Sequence, residues 1–164
     1  KSGDYRIKAN GDVRDSKEAS KTFEEIMENV RKKNPQARLD GVLIQNQLPR
    51  GVEVLVGSTV DNDFGPVVAF GLGGVFVEAF RDISYGLAPV SQEEALGMIS
   101  NTKAARLLEG VRGQRPVDLK KLAGLLTRVS FLACEQSIIE MDLNPVIAFE
   151  DDCVAADARI RIKP

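Results

Sequence analysis

The sequence predicts an α+β domain in which a mostly antiparallel sheet packs on helices. Short β-rich runs separated by tight turns fill much of the first half of the chain. Helical periodicity dominates residues 91–135, and two β-rich runs close the chain. Strands and helices are therefore grouped and do not alternate as repeating βαβ units. Counted along the chain, these patterns predict roughly seven strands and four helices.

The first half predicts an amphipathic helix followed by a three-stranded antiparallel meander. After a short predicted strand at residues 5–9, apolar residues recur at helical spacing, with Ser16 as the expected N-cap. Three β-rich runs follow, separated by the turns LPRG and DNDFG. The runs are GVLIQNQ at residues 41–47, VEVLVGSTV at 52–60 and PVVAFG at 66–71.

The second half predicts helices that lead into a β-hairpin. After a strand at residues 75–80, helical segments follow, with Ser91 and Asn101 as expected caps. The turn RGQRP interrupts them, and a longer helix over residues 118–135 carries its apolar residues on one face. The closing strands IIEMDLNPVIA and CVAADARI are expected to pair across the turn EDD.

The composition restricts the chemistry that the chain can perform. The 164 residues carry a formal net charge of −2, so no broad basic surface is available for nucleic acid. No apolar run reaches the length of a membrane span. Neither nucleic acid nor a membrane is therefore an expected partner. The two cysteines form no CxxC motif, which favours a reduced, cytoplasmic location. The chain has no histidine, so any catalysis must use carboxylates, lysines, arginines and backbone groups.

Polar residues interrupt both strands of the closing hairpin. Asp142 and Asn144 lie two positions apart, so they face the same side of a strand. Met141 and Leu143 face the other side. In an antiparallel hairpin Asp157 comes near the polar side, and three such oxygen-bearing side chains suit Mg²⁺ with its waters and substrate phosphates. The alternative interpretation is a solvated face of a half-exposed hairpin, where this alternation is routine.

A glycine-rich segment, FGLGG at residues 70–74, directly follows a strand. Glycines allow positive φ and close backbone approach, which suits a nest for a phosphoryl group. The segment has neither a GK[ST] sequence nor the GxGxxG pattern, so it is not diagnostic by itself. The alternative is a bulge or a tight strand corner.

Other charged and reactive residues have simpler interpretations. Glu53 and Glu78 each stand between apolar strand neighbours, so a solvent face is the default expectation. Arg112 and Arg115 belong to a loop, and a surface location is favoured over phosphate binding. Cys134 follows an apolar helix and is interpreted as a buried structural thiol.

Several segments, in order along nearly the whole chain, carry a family resemblance. They are GVLIQNQLPRGVEVLVG, DNDFGPVVAFGLGGVFVEAF, RGQRPVDL, EMDLNPV and VAADARI. This set resembles the ATP-grasp domain of the NDP-forming acyl-CoA synthetases, among them the β subunits of succinyl-CoA synthetase and ADP-forming acetyl-CoA synthetase. The resemblance implies part of an enzyme that interconverts acyl-CoA, NDP and phosphate with a carboxylic acid, CoA and NTP through a phosphohistidine.

The resemblance also implies roles for particular residues. Asn144 and Asp157 correspond to the magnesium ligands, and Asp142 corresponds to an acidic catalytic residue that can face the phosphohistidine. A further set corresponds to contacts with ATP or ADP: Gln45, Asn46, Leu48, Glu53, Gly71, Gly73 and Gly74. A Mg²⁺-nucleotide lying across the closing hairpin would explain why polar residues occupy its strands.

Within a partial ATP-grasp domain spanning residues 1–164, the expectation is a small nucleotide-binding lobe at residues 1–80. Residues 81–164 would then supply a helical segment and the metal-site hairpin. Because the chain has no histidine, the phosphohistidine and the CoA site are expected from another domain or an α subunit. The chain alone is therefore expected to be inactive.

Two departures from the family pattern keep an alternative open. Gln45 and Gly86 stand where relatives often carry a glutamate and an arginine. These departures are compatible with a non-catalytic ligand-sensing module, such as the synthetase-like region of a fused protein acetyltransferase. An interaction scaffold that binds no nucleotide is a third interpretation.

Overall fold

The computed structural model describes residues 13–44, 47–73, 82–110 and 115–163. The chain divides into two compact units, residues 1–47 and residues 48–164. This boundary differs from the expected division at residue 80, because the strands within residues 52–72 belong to the sheet of the second unit. The functional division into a nucleotide-binding part at residues 1–80 and a metal-site part at residues 81–164 stays a prediction.

The first unit contains helix α1, Ser16–Lys33, which confirms the predicted helix. Its N-cap is Asp15, whose Oδ1 accepts hydrogen bonds from the backbone N–H groups of Lys17 and Glu18, both at 2.8 Å. Ser16, the predicted cap, is instead the first helical residue. A carboxylate one residue earlier satisfies the unpaired N–H groups of the first turn, and it also suits the positive end of the helix dipole.

The first predicted strand of the meander is wrong where the structure describes it. Residues 41–44 have no strand partner in the described part of the chain, and Ile44 is 85% exposed. An apolar run becomes a strand only where a neighbour satisfies its backbone hydrogen bonds. The predicted strands at residues 5–9 and 75–80 lie outside the described residues.

The second unit is built on one sheet, which has six strands among its described residues and only antiparallel pairs between them. The order is β3-β2-β1-β4-β5, and β6 pairs with another part of β4. The strands are β1 Val52–Asp61, β2 Gly65–Leu72, β3 Ile83–Leu87, β4 Ile138–Ala148, β5 Cys153–Ala155 and β6 Ala158–Ile162. The predicted fold class and the closing hairpin are thereby confirmed.

One face of this sheet, the core face, is apolar. Val56 lies directly opposite Phe70 on β2, and both are fully buried. β4 adds Met141 and Val146 to the same face, opposite Ser58 and Val54 of β1. Alternate positions of the central strands therefore form the apolar layer that anchors the second unit.

Three helices of the second unit share this core. They are α2 Gln92–Ser100, α3 Ala104–Leu108 and α4 Leu119–Ala133. The fully buried Ile99, Leu108 and Leu126, one from each helix, join the same cluster as the core face. None of the helices in the described ranges combines the length and apolarity needed to cross a membrane.

Helix starts follow local capping, with one exception. Ser91 and Glu94 form a capping box at α2, as the expected cap at Ser91 implies. Asn101, expected to begin the next helical segment, is the C-cap of α2 and donates its N–H to the carbonyl of Gly97 at 3.0 Å. The start of α3 is held by Asp82, whose Oδ2 accepts from the N–H of Ala104 at 3.2 Å. A cap 22 residues away leaves no local sequence signal.

Cys134 is not buried, contrary to the sequence interpretation. The apolar stripe of α4 ends at Ala133, and Cys134 is the exposed C-cap residue whose Sγ donates to the carbonyl of Ser130 at 3.4 Å. Cys153 on β5 is the more buried cysteine. Both are free thiols.

Candidate functional site

The second face of the sheet, defined by Glu140, Asp142 and Gly57, carries the polar residues of β4. Asp142 is half-buried and lies directly opposite Gly57 on β1. The residues on either side of it, Met141 and Leu143, pack in or against the core cluster. Alternation therefore turns Asp142 away from the core, as the sequence pattern predicts. Gly57 carries no side chain, but it is buried, and a side-chain atom of Leu55 lies 3.9 Å from where its Cβ would be.

Asn144 and Asp157 occupy matching positions on adjacent segments. Leu143 pairs with Ala158 and Val146 pairs with Ala155, so the same register on both sides places Asn144 opposite Asp157. Asn144 is half-buried and Asp157 is exposed. The hairpin therefore brings together the two residues that the sequence analysis assigned to magnesium, with Asp142 two positions away.

A β-bulge marks this point of the sheet. The register between β1 and β4 shifts between Val54 and Val56, so that Asn144 and the next residue of β4 share one partner position on β1. On the other side of β4, strand pairing is interrupted between β5 and β6, where Asp157 lies. Bulges and interrupted edges bend a strand and redirect its side chains, and they are common next to binding sites.

The chemistry of these donors fits a hard cation. An amide oxygen and a carboxylate oxygen are ligands that Mg²⁺ accepts, and Mg²⁺ usually takes only one or two protein carboxylates and completes its shell with waters and phosphates. The described residues contain no group of three or more His, Cys, Asp or Glu side chains that could hold a metal ion. The donor set therefore suits an ion that arrives with a phosphate ligand better than a permanently bound structural metal.

Glu53 lies on the second face but is not close to Asp142. Its neighbours Val52 and Val54 pack against or within the core, and Glu53 itself is exposed. Four positions of β1 separate it from Gly57, a distance of about 13 Å along a strand. Glu53 and the Asp142 region thus lie along one strand, with the half-buried Leu55 between them.

Gly71 and Gly73 have a steric reason to be glycine. A Cβ on Gly71 would lie 2.5 Å from the carbonyl oxygen of Asp82, and one on Gly73 would lie 2.7 Å from backbone atoms of Val54. Neither glycine has a positive φ. Close backbone packing therefore accounts for both positions, and a phosphate nest at this segment stays a prediction.

Gly86 also has a packing cause. It lies opposite the buried Val68, and a Cβ there would approach the Sδ of Met98 to 2.8 Å and the side chain of Val90 to 3.1 Å. A larger residue would require the end of the flexible Met98 side chain to shift and the Val90 side chain to give way slightly. Packing beside β3 therefore limits the space for a side chain at this position.

The remaining predicted contacts are only partly described. Leu48 is the half-buried first residue of the second unit and precedes β1. Gln45, Asn46 and Gly74 lie outside the described residues, and so do Glu78 and Arg112. The nucleotide contacts assigned to them stay predictions.

Arg115 is engaged by a nearby carboxylate. Its Nη1 donates to Oε1 of Glu150 in the turn between β4 and β5, and this hydrogen bond raises the pKa of the Arg115 guanidinium. Arg115 is exposed, as expected for a loop residue. The ion pair joins the segment before α4 to the closing hairpin.

Two arginines that the sequence analysis did not single out also lie on the second face. Arg159 is opposite Asp142, and Arg161 is opposite Glu140. The sequence signal for them was the alternation of arginine and isoleucine in the string ARIRI. Residues two apart in a strand share a face, so Arg159 and Arg161 are expected on the same face as Asp157.

Comparisons with known proteins agree on one family. A family model described as an ATP-grasp domain matches residues 9–162. The chain is 46% identical over 149 residues to subunit beta of acetate–CoA ligase [ADP-forming] I from Pyrococcus furiosus, a match that covers 90% of the chain and 64% of that protein. It is 44% identical to acetate–CoA ligase [ADP-forming] I from Archaeoglobus fulgidus, over 85% of the chain and 21% of that protein.

Solved structures show the same likeness. The dinucleotide-forming acetyl-coenzyme A synthetase 1 of Ca. Korarchaeum cryptofilum, in complex with coenzyme A, Ca-AMPCP and HgCl⁺, superposes with a TM-score of 0.82 at 45% identity over 92% of the chain. The same enzyme with coenzyme A and Mg-AMPPCP, its phosphohistidine segment pointing towards the nucleotide binding site, gives 0.80 at 42% identity over 93% of the chain. In both cases the chain covers 66% of the matched chain.

Proposed function

The chain belongs to the ATP-grasp family, and from that premise we propose that it is the nucleotide- and Mg²⁺-binding part of an NDP-forming acyl-CoA synthetase. The whole enzyme would convert acyl-CoA, NDP and phosphate into a carboxylic acid, CoA and NTP, and the reverse. The chain spans 64% of one β-subunit relative and 21% of one single-chain relative. The complete activity therefore belongs to a larger protein or assembly.

The observation that carries the proposal is the register of the closing hairpin. In that register Asn144 and Asp157 stand at opposite positions of adjacent segments, which supports a ligand shared by the two residues. In this proposal the two side chains hold a Mg²⁺ ion, and ATP or ADP lies along β1 from Glu53 towards Asp142. When bound, Mg²⁺ neutralises charge on the phosphate oxygens.

Asp142 takes the role of the catalytic carboxylate at the phosphoryl-transfer end. It is half-buried, so part of the residue stays exposed to an approaching group. A carboxylate there accepts a hydrogen bond from the imidazole of an incoming phosphohistidine and orients it for in-line transfer. The chain has no histidine, so this group comes from another domain or an α subunit, which also binds CoA.

Gly86 has little space for a side chain beside Met98 and Val90, and these contacts offer a packing reason for a glycine where relatives often carry an arginine. The two free thiols support a cytoplasmic location for the enzyme.

Calorimetric titration of the full-length protein with Mg²⁺-ADP tests the proposal. Asn144→Ala and Asp157→Ala should each lower the affinity by about 10- to 100-fold, the effect of losing a contact to a charged group. Asp151→Ala, which removes an exposed carboxylate from the turn of the same hairpin, is the matched control and should leave the affinity unchanged. Wild-type affinity in both site variants would refute the assignment.

A labelling experiment separates enzyme from sensor. Full-length protein incubated with ATP labelled at the terminal phosphate should transfer the label to a histidine of the assembly. Asp142→Asn should bind Mg²⁺-ADP normally but transfer label at least about 100-fold more slowly. Nucleotide binding without any label transfer in the wild type would show a sensor instead.

A further inference from the structure

Positive charge is confined to one strand of the described sheet. None of the residues in β1 to β5 is a lysine or arginine, whereas β6 carries two, Arg159 and Arg161. Both face residues of β4 on the second face, where Asp142 and Glu140 are acidic. Among the described strands, an anion that binds on this face can therefore find cationic side chains only on β6.

The two arginines differ in whether they form an ion pair with an acidic residue. Arg161 Nη2 lies 3.0 Å from Oε2 of Glu140, its direct partner in the register, so its charge is already balanced. Arg159 has the equivalent relation to Asp142, but it forms no ion pair with any described residue. Its side chain is exposed. Of the two, Arg159 is the one whose guanidinium is available to an incoming anion.

Arg159 is also placed where phosphate would be. It lies two positions from Asp157 on one side and directly across from Asp142 on the other. Phosphate oxygens brought next to two carboxylates are repelled unless cations balance the charge, and phosphoryl transfer depends on such balance. The planar guanidinium of arginine matches a phosphate group with two parallel hydrogen bonds.

We propose that Arg159 binds the terminal phosphate of the nucleotide at the end of the site marked by Asp142 and Asp157. This inference rests on the proposed nucleotide function and extends it to a residue outside the predicted set. The competing interpretation is that Arg159, like many charges on edge strands, only prevents edge-to-edge association of sheets.

The test compares Arg159→Gln with Arg161→Gln in the full-length protein. Each variant removes one positive charge from the same face of the same exposed strand, so general electrostatic effects are matched. Affinity for Mg²⁺-ADP is measured by calorimetry, and affinity for adenosine, which has no phosphate, by competition. Thermal unfolding checks that both variants are folded.

Arg159→Gln is expected to weaken Mg²⁺-ADP binding at least about tenfold and to leave adenosine binding unchanged, since only phosphate contacts are lost. Arg161→Gln should stay within about twofold of the wild type for both ligands. Equal losses in the two variants, or no loss in Arg159→Gln while the wild type binds nucleotide, would overturn the role of Arg159 and leave the proposed function standing. Absence of Mg²⁺-ADP binding in the wild type would overturn both.

Discussion

Two glycines of this chain, Gly73 and Gly97, differ in the space that surrounds them for an added side chain. A Cβ on Gly73 would lie 2.7 Å from backbone atoms of Val54, whereas a Cβ on Gly97 in α2 would meet nothing within 4 Å apart from its chain neighbours and the backbone of its own helix. Backbone cannot move aside as a flexible side chain can. Gly73→Ala should therefore lower the free energy of unfolding by about 1–3 kcal/mol, and Gly97→Ala should raise it by about 0.5–1 kcal/mol.

Urea denaturation of the two variants measures this difference. Because both changes add the same methyl group, Gly97→Ala is the control for the intrinsic effect of alanine. Equal stability in the two variants would mean that β1 and the segment after β2 are not packed as closely as described.

The two cysteines should differ in reactivity. Burial raises the pKa of the Cys153 thiol, and the neighbouring negative charge of Asp152 raises it further. Cys134 is exposed. Because only the thiolate reacts, iodoacetamide at pH 8 should modify Cys134 about tenfold faster or more. Mass spectrometry of timed samples locates the label, and Cys134→Ser identifies the slow phase. Equal rates at the two cysteines would contradict the burial of Cys153.

Among the helices, α2 offers a pH-dependent test of its capping box. Glu94 Oε2 accepts from the backbone N–H of Ser91 at 2.7 Å, and this hydrogen bond lowers the pKa of Glu94 below its ordinary value of 4.5. A lowered folded-state pKa contributes stability that is fully present above the unfolded-state value. That stability is lost as the pH falls through the lowered value.

Replacing Glu94 should therefore remove part of the pH dependence of folding. Chemical denaturation of Glu94→Gln and the wild type should show a smaller stability difference at pH 3 than at pH 7. Glu93→Gln, an exposed glutamate in the same turn, is the control and should follow the wild-type curve. A stability difference that is independent of pH would show that the carboxylate charge does not contribute to the cap.

Across the second unit, local patterns predicted most of the fold but not the contacts between distant segments. Helical spacing located α2 and α4, and alternation separated Met141 from Asp142, because each depends on neighbours in sequence. The cap that Asp82 supplies to α3 has no local signature.

Site residues divide in the same way. The polar residues of the closing hairpin stand out against apolar strand neighbours, so Asn144 and Asp157 could be selected from sequence. Their mutual register, however, follows from strand pairing, which only the structure supplies. Arg159 was missed because an arginine on an exposed strand is common, and its significance comes from Asp142 directly across the sheet.

Sheet order also predicts how stability is distributed. Strands β1 and β4 have hydrogen-bonded neighbours on both sides, whereas β6 pairs with β4 alone in the described part of the chain, and its residues are all exposed. Local opening ranges from almost no free-energy cost at such edges to the full unfolding free energy in the centre. Amides of β6 should therefore exchange with deuterium faster than those of β1 and β4.

Mg²⁺-ADP should slow exchange in β6 more than in β3, because the proposed phosphate site lies at β6. Hydrogen exchange with mass spectrometry measures both effects. Exchange of β6 as slow as that of β4 without nucleotide would mean that the sheet opens only as one unit.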